Sequence, residues 1–207
     1  IEHRIISSSI ERAQSQVEGY NFDIRKRLLE YDEVINKQRD SIYEKRQNML
    51  EWFEYDTPKL KEHILETLEE EIETVVEFHT ASSSSDEWNI KEIEETFKGI
   101  TNYELKITHK EEKGEIKREL KEKLHELYEK REEELTSEMM RQVEKGLVLR
   151  SIDSSWSDYL DSLDHLRQAV GLRGVGGHDP LVEFKREARG MFDDLRYDIS
   201  RKVTDTI

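Results

Sequence analysis

The sequence predicts an all-α protein: one very long helix, a set of shorter helices, and a two-helix hairpin. Three observations carry this prediction. Charged residues make up 39% of the 207-residue chain and hydrophobic residues only 34%. The chain holds only 9 Gly and 2 Pro, too few turn-formers for a sandwich, a barrel or a βαβ fold. Apolar residues recur at steps of three and four along most of the chain, the spacing of one helical face.

The long helix is read over about residues 2–54. Ile6, Ile10, Ala13, Val17, Ile24, Leu28, Tyr31, Ile35, Ile42 and Met49 form its stripe, and Gly19 is the only glycine before Pro58. At 1.5 Å per residue such a helix is ~80 Å long, longer than a small domain is wide. It therefore serves as a spine or as a coiled coil. Thr57-Pro58 reads as a restart, with Thr57 as N-cap and Pro58 at the first helical position, and that helix runs to about His79. Ser82 to Ser85 reads as a linker that is costly to order. Asp86 or Asn89 caps a short helix through Phe97, ended by Gly99. Residues 100–112 read as loop, because the alternation from Tyr103 to Ile107 has no partner strand.

A helix resumes near Lys113 and runs to about Met140. The stripe then continues past Gly146 through Leu149, Ile152, Trp156, Tyr159, Leu163, Leu166 and Val170, so one helix is expected to about Leu172. The stretch Gly171 to Pro180 holds four of the nine glycines and is the sharpest break. Asp179-Pro180 opens the last helix, with Leu181, Phe184, Ala188, Met191, Leu195, Ile199 and Val203 at helical spacing. Residues 147–203 thus read as an antiparallel hairpin with arms of ~35–40 Å. Trp52 and Trp156, on apolar stripes, read as packing residues; Trp88 reads as partly exposed. No internal repeat is found.

The charge pattern narrows the partners. The net charge is −15, and most of it lies in residues 58–145, where runs such as Glu69-Glu70-Glu71 and Glu132-Glu133-Glu134 read as solvated helix faces. Such a surface repels phosphate backbones, so no nucleic-acid partner is expected. Residues 165–189 are locally basic through Arg167, Arg173, Lys185, Arg186 and Arg189. Cysteine is absent, which excludes disulfides, thiolate metal sites and cysteine nucleophiles. No run of apolar residues is long enough for a transmembrane helix. The chain begins at Ile1 without a signal-peptide pattern and reads as a piece of a longer protein.

Chemistry is sparse. The seven histidines form no His-x-x-x-His or His-Glu-x-x-His set, so no metal site is expected. Asp161 and Asp164 lie one turn apart but read as surface charge. Ser151, Ser154, Ser155 and Ser157 lack a nucleophile elbow. The glycines at 174–177 follow a helix and lack the phosphate-loop lysine, so they read as a tight interhelical turn. A rigid hairpin with a small, basic-flanked tip is shaped to enter a cavity in a partner.

Three stretches together resemble the SecA family, the ATPase motor of bacterial preprotein export: Asn21-Phe22-Asp23-Ile24-Arg25-Lys26-Arg27-Leu28-Leu29-Glu30-Tyr31-Asp32-Glu33-Val34; Ile152-Asp153-Ser154-Ser155-Trp156 with Leu163-Asp164-His165-Leu166-Arg167-Gln168; and Leu172-Arg173-Gly174, Asp179-Pro180 and Glu183-Phe184-Lys185-Arg186-Glu187. The resemblance implies a C-terminal helical region, with 1–57 and 147–207 as helical scaffold, 58–146 as helical wing, and about 147–203 as the two-helix finger. It implies that Asn21, Arg25, Tyr31, Asp32 and Trp156 lie where the scaffold meets the motor. It implies that Arg173, Gly174, Val175, Gly176, Gly177 and His178 form a finger tip near the SecYEG channel and the unfolded preprotein. Val175 stands where many family members carry a bulky aromatic.

The other partners implied are the chain's own N-terminal motor and preprotein crosslinking domains and anionic lipid. Self-association through the exposed stripe is expected for the segment alone. ATP and magnesium belong to the motor domains and zinc to a Cys-rich tail, so no cofactor and no ATPase activity are expected of this segment. The implied location is cytoplasmic, peripherally bound to the inner face of the bacterial plasma membrane. From composition alone, a free-standing coiled-coil scaffold or adaptor is the alternative.

Overall fold

A computed structural model describes residues 4–108, 112–173 and 179–204. Among them are six α-helices and one short 3-10 turn, and no strand. The helices are α1 (Arg4–Tyr55), α2 (Thr57–His79), α3 (Ile90–Thr101), α4 (Lys113–Leu135), α5 (Ser137–Arg173) and α6 (Pro180–Thr204); the turn is Ser85–Glu87. The all-α prediction holds. The chain divides into two compact units, Ile1–Tyr43 with Tyr159–Phe192, and Glu44–Asp158 with Asp193–Ile207.

In the first unit α1 is buried only along its later part. Ile42 and the α5 side chains Tyr159, Leu163, Leu166 and Val170 are buried with Phe184 and Ala188 of α6. Tyr31 meets Phe184 edge to face, with ring centroids 4.8 Å apart at 71°, a favoured aromatic geometry. By contrast Ile6, Ile10, Val17, Ile24 and Leu28 are exposed; Ile10 keeps 52% of its surface in water. The predicted stripe is therefore real as a pattern but covered only at its C-terminal end.

The second unit is built on α2 and α4. Leu60, Ile64, Leu68, Ile72 and Val76 recur every four residues on α2, and Ile116, Leu120, Leu124 and Tyr128 do the same on α4. Both rows are buried, so each helix presents one apolar ridge. Ion pairs flank the ridges and fix an antiparallel register. Glu77 meets Lys117 at 2.6 Å, Glu73 meets Lys121 at 2.5 Å, and Glu69 meets Lys121 at 2.9 Å and His125 at 2.6 Å. Lys61 closes the ladder on Glu129 and Glu132, at 2.6 and 2.7 Å. Ile93 and Phe97 of α3 add to the core.

Four local expectations are corrected. The N-cap of α2 is Asp56, not Thr57: the carboxylate of Asp56 accepts from the Lys59 amide at 3.2 Å. Aspartate one position earlier reaches the free amides of the first turn, so Thr57 becomes helical. Helix α3 passes through Gly99 and ends at Thr101, capped by Asn102, which adopts the left-handed conformation (φ 53°) and returns its amide to the Lys98 carbonyl. Asn89 is its N-cap, accepting from the Glu92 amide. The serine stretch is not a free linker, because Trp88 Nε1–H donates to the Ser82 carbonyl at 2.8 Å and the Asn89 amide to the His79 carbonyl at 3.0 Å. Finally, the helix after Lys113 stops at Leu135, not near Met140, and α5 begins at Ser137 and runs unbroken through Gly146. Thr136 alone separates them, at φ 70° and ψ 145°.

Residues 102–108 form no strand, as expected; Ile107 is nonetheless buried, and its amide donates to Glu94 at 3.0 Å. Trp88 is half-buried, as expected. Helix α6 starts at Asp179-Pro180 as read from the sequence, with Asp179 Oδ1 accepting from the Leu181 amide at 2.9 Å.

Candidate functional site

The part of α1 with the least covering carries the sequence motif. Asn21, Arg25 and Asp32 are all exposed. At about 100° per residue their spacings place the three side chains on one helical face. Arg25 lies in a shallow groove with Phe22, Lys26, Leu29, Glu30 and Glu33. Phe22 and Leu29 there are largely exposed, as is Tyr20 one turn before Ile24. An apolar surface bearing two cations and two carboxylates suits a protein partner with mixed charge; large exposed apolar patches mark interaction sites.

Tyr31 points away from that face and anchors it. It is half-buried against Phe184. Burial, and then the Asp179 carboxylate, push its hydroxyl above the ordinary tyrosine value, so it stays neutral. Four of the five predicted motor-contact residues thus fall in the first unit. Trp156 falls in the second, where it is only 7% exposed. Of the predicted tip, Arg173 ends α5, and Gly174, Val175, Gly176, Gly177 and His178 lie outside the described residues.

Two buried polar clusters escaped the sequence reading. In the first unit, Tyr159 O–H is 2.9 Å from Gln38 Oε1 and 3.0 Å from the Ala188 carbonyl, and Gln38 Nε2 donates to that same carbonyl at 3.2 Å. This node links α1, α5 and α6, and burial pushes the Tyr159 hydroxyl far up. In the second unit, Tyr128 O–H donates to Glu144, and Arg141 donates to Tyr128 Oη at 2.7 Å and to Glu132 at 3.1 Å. Arg141 Nη1 also stands 3.1 Å from Glu144 Oε2, an ion pair without hydrogen-bond alignment. Burial raises the Glu144 carboxyl above the usual carboxylate range.

A signal for both existed. Gln38 falls on the stripe between Ile35 and Ile42, and Glu144 falls four residues from both Met140 and Val148. A polar residue on an apolar stripe needs a buried partner.

Among the described residues no group of three or more His, Asp or Glu side chains could hold a metal ion. No helix there is long and apolar enough to cross a membrane. Asp161 and Asp164 are exposed, and Asp164 pairs with Arg167 at 2.8 Å.

Comparison with known proteins agrees with the motif. The family described as the SecA wing and scaffold domain matches residues 1–207. The chain is 42% identical over 199 residues to the protein translocase subunit SecA of Thermodesulfovibrio yellowstonii, covering 96% of this chain and 22% of that protein. It is 39% identical over 212 residues to that of Caldicellulosiruptor saccharolyticus, covering 100% and 24%. It is 40% identical over 196 residues to protein translocase subunit SecA 1 of Clostridioides difficile, covering 94% and 21%. The chain thus spans less than a quarter of the length of these relatives. With an all-α fold and a motif-bearing helix left uncovered, the chain belongs to the SecA wing and scaffold family.

Proposed function

We propose that this segment couples ATP hydrolysis in SecA-type motor domains to the movement of unfolded preprotein through a SecYEG channel, and regulates that hydrolysis. The observation that carries the reading is the uncovered half of α1. Ile10, Val17, Ile24 and Leu28 repeat at helical spacing yet stay exposed, next to Arg25 and its groove. Fully burying an exposed side chain of this kind is worth about 1.5–3 kcal/mol, and these four still offer a partner 40–59% of their surface. The motor and preprotein crosslinking domains of the longer protein are the partners that suit it.

In this reading 1–57 and 147–207 are scaffold and 58–146 is wing. Helices α5 and α6 are the antiparallel finger. Tyr159 packing on Ala188 and Phe192 supports that pairing. The tip from Arg173 to His178 meets the channel, the preprotein and anionic lipid, drawn by its basic flanks. The segment itself carries no nucleotide chemistry and works as part of a cytoplasmic protein bound peripherally to the membrane. Separated from its motor, it self-associates through the uncovered stripe.

Arg25→Ala in the full-length protein tests this. It is expected to loosen the coupling of ATPase rate to channel engagement. Basal and channel-stimulated rates that both match wild type would reject the role given to Arg25.

A further inference from the structure

We propose that Thr136 is a strained elbow between α4 and α5, latched by the buried Tyr128–Arg141–Glu144–Glu132 network, and that unlatching lets the two helices change their angle. Thr136 has φ 70° and ψ 145°, at the edge of a region that only glycine occupies freely. For a β-branched residue this is a true outlier. Such strain persists only where the surroundings over-determine the backbone.

The surroundings here do so. The Met140 amide donates to the Thr136 carbonyl at 3.0 Å. Arg141 of α5 reaches back across the elbow to Glu132 and Tyr128 of α4. Tyr128 in turn donates forward to Glu144 of α5. Lys61 of α2 holds Glu132 from the third side at 2.7 Å. Glu144 is 0% exposed and Arg141 is buried.

These charges balance only as a set. Removing Glu144 leaves the buried Arg141 with Glu132 alone, a carboxylate it already shares with Lys61, which is costlier than losing a surface pair. The relaxed alternative is ordinary helical backbone at Thr136, which continues α4 into α5. Loss of a network charge and relief of backbone strain therefore push the elbow in the same direction. Removing the strain itself pushes it in the opposite direction, because glycine accepts the bent backbone and disfavours the helical one.

The test uses the full-length protein with nitroxides at the exposed positions Glu126 and Arg150 and no other cysteines. The wild type is expected to give one distance, and Glu144→Gln a second, populated distance. Adding Thr136→Gly to Glu144→Gln is expected to shift the ratio back toward the first by roughly five- to a hundredfold. A single wild-type distance in a folded Glu144→Gln protein overturns the proposal, as does a ratio that Thr136→Gly leaves unchanged. Should Glu144→Gln not fold, Thr136→Gly alone decides. It is expected to slow amide exchange at residues 141–144, and unchanged or faster exchange there overturns the elbow.

Discussion

Tyr159→Phe removes one oxygen from the node that joins α1, α5 and α6. Its consequence follows from who remains satisfied. Gln38 Nε2 still donates to the Ala188 carbonyl, but Gln38 Oε1 loses the hydroxyl at 2.9 Å and is left as a buried acceptor. Orphaning such a group costs about 1–3 kcal/mol. Gln38→Met is different. Tyr159 O–H keeps the Ala188 carbonyl at 3.0 Å, and the new side chain is apolar and of similar length, so the cost is below about 1 kcal/mol. In the double variant no orphan remains, so it is less damaged than the sum of the singles.

Amide exchange at residues 184–192 in the full-length protein reads the local opening of this packing. At about 1.4 kcal/mol per tenfold, Tyr159→Phe speeds exchange by roughly five- to a hundredfold. Gln38→Met speeds it by less than about fivefold, and the double variant by less than the product. A larger effect from Gln38→Met than from Tyr159→Phe, or strict multiplication in the double variant, would refute the reasoning.

Two further predictions concern α2. Burial pushes the Glu69 carboxyl up, but the hydrogen bonds from His125 and Lys121 outweigh it and hold the group below its ordinary value. A depressed folded value stabilises the fold above the unfolded carboxylate pKa, about 4.3, and that contribution is lost as pH falls through the lower folded value. The α2–α4 pairing is thus expected to weaken as pH drops below about 4.3, measured as the acid dependence of helix loss by circular dichroism, and more shallowly in Glu69→Gln; identical pH profiles would contradict it. Asp56→Ala is expected to cost about 1 kcal/mol at the start of α2 and Thr57→Ala far less, read from amide exchange at residues 59–61, with the reverse order counting against Asp56 as the cap.

Much of the fold was legible because its helices carry plain periodicity. The four-residue rows of α2 and α4 are buried, as are Phe184, Ala188, Leu195, Ile199 and Val203 of the α6 stripe, while Leu181 and Met191 are half-buried. Asp179-Pro180 starts α6 because its cap and its proline act within one turn. The errors lie where a local signal had a neighbour of equal strength. Asp56 outcompetes Thr57 because its carboxylate lies within reach of the Lys59 amide. Gly99 reads as a stop, yet Asn102 takes the left-handed conformation that ends the helix. Helix α5 runs through Gly146 as its stripe implies, while the break between α4 and α5 sits at a threonine with no glycine or proline beside it. Periodicity could not tell which half of the α1 stripe is covered, since that depends on where α5 and α6 return to it. Asn21, Arg25 and Asp32 were legible only through family resemblance. Their shared exposed face is a structural finding.

The proposed role of the uncovered face of α1 is docking to the motor domains. The most direct measurement titrates this 207-residue segment into the N-terminal motor core lacking it and follows ATP hydrolysis. A saturable change in rate is expected, weakened by Arg25→Ala or by alterations in the α5–α6 hairpin. No binding and no change in rate, with the segment helical by circular dichroism, would contradict it.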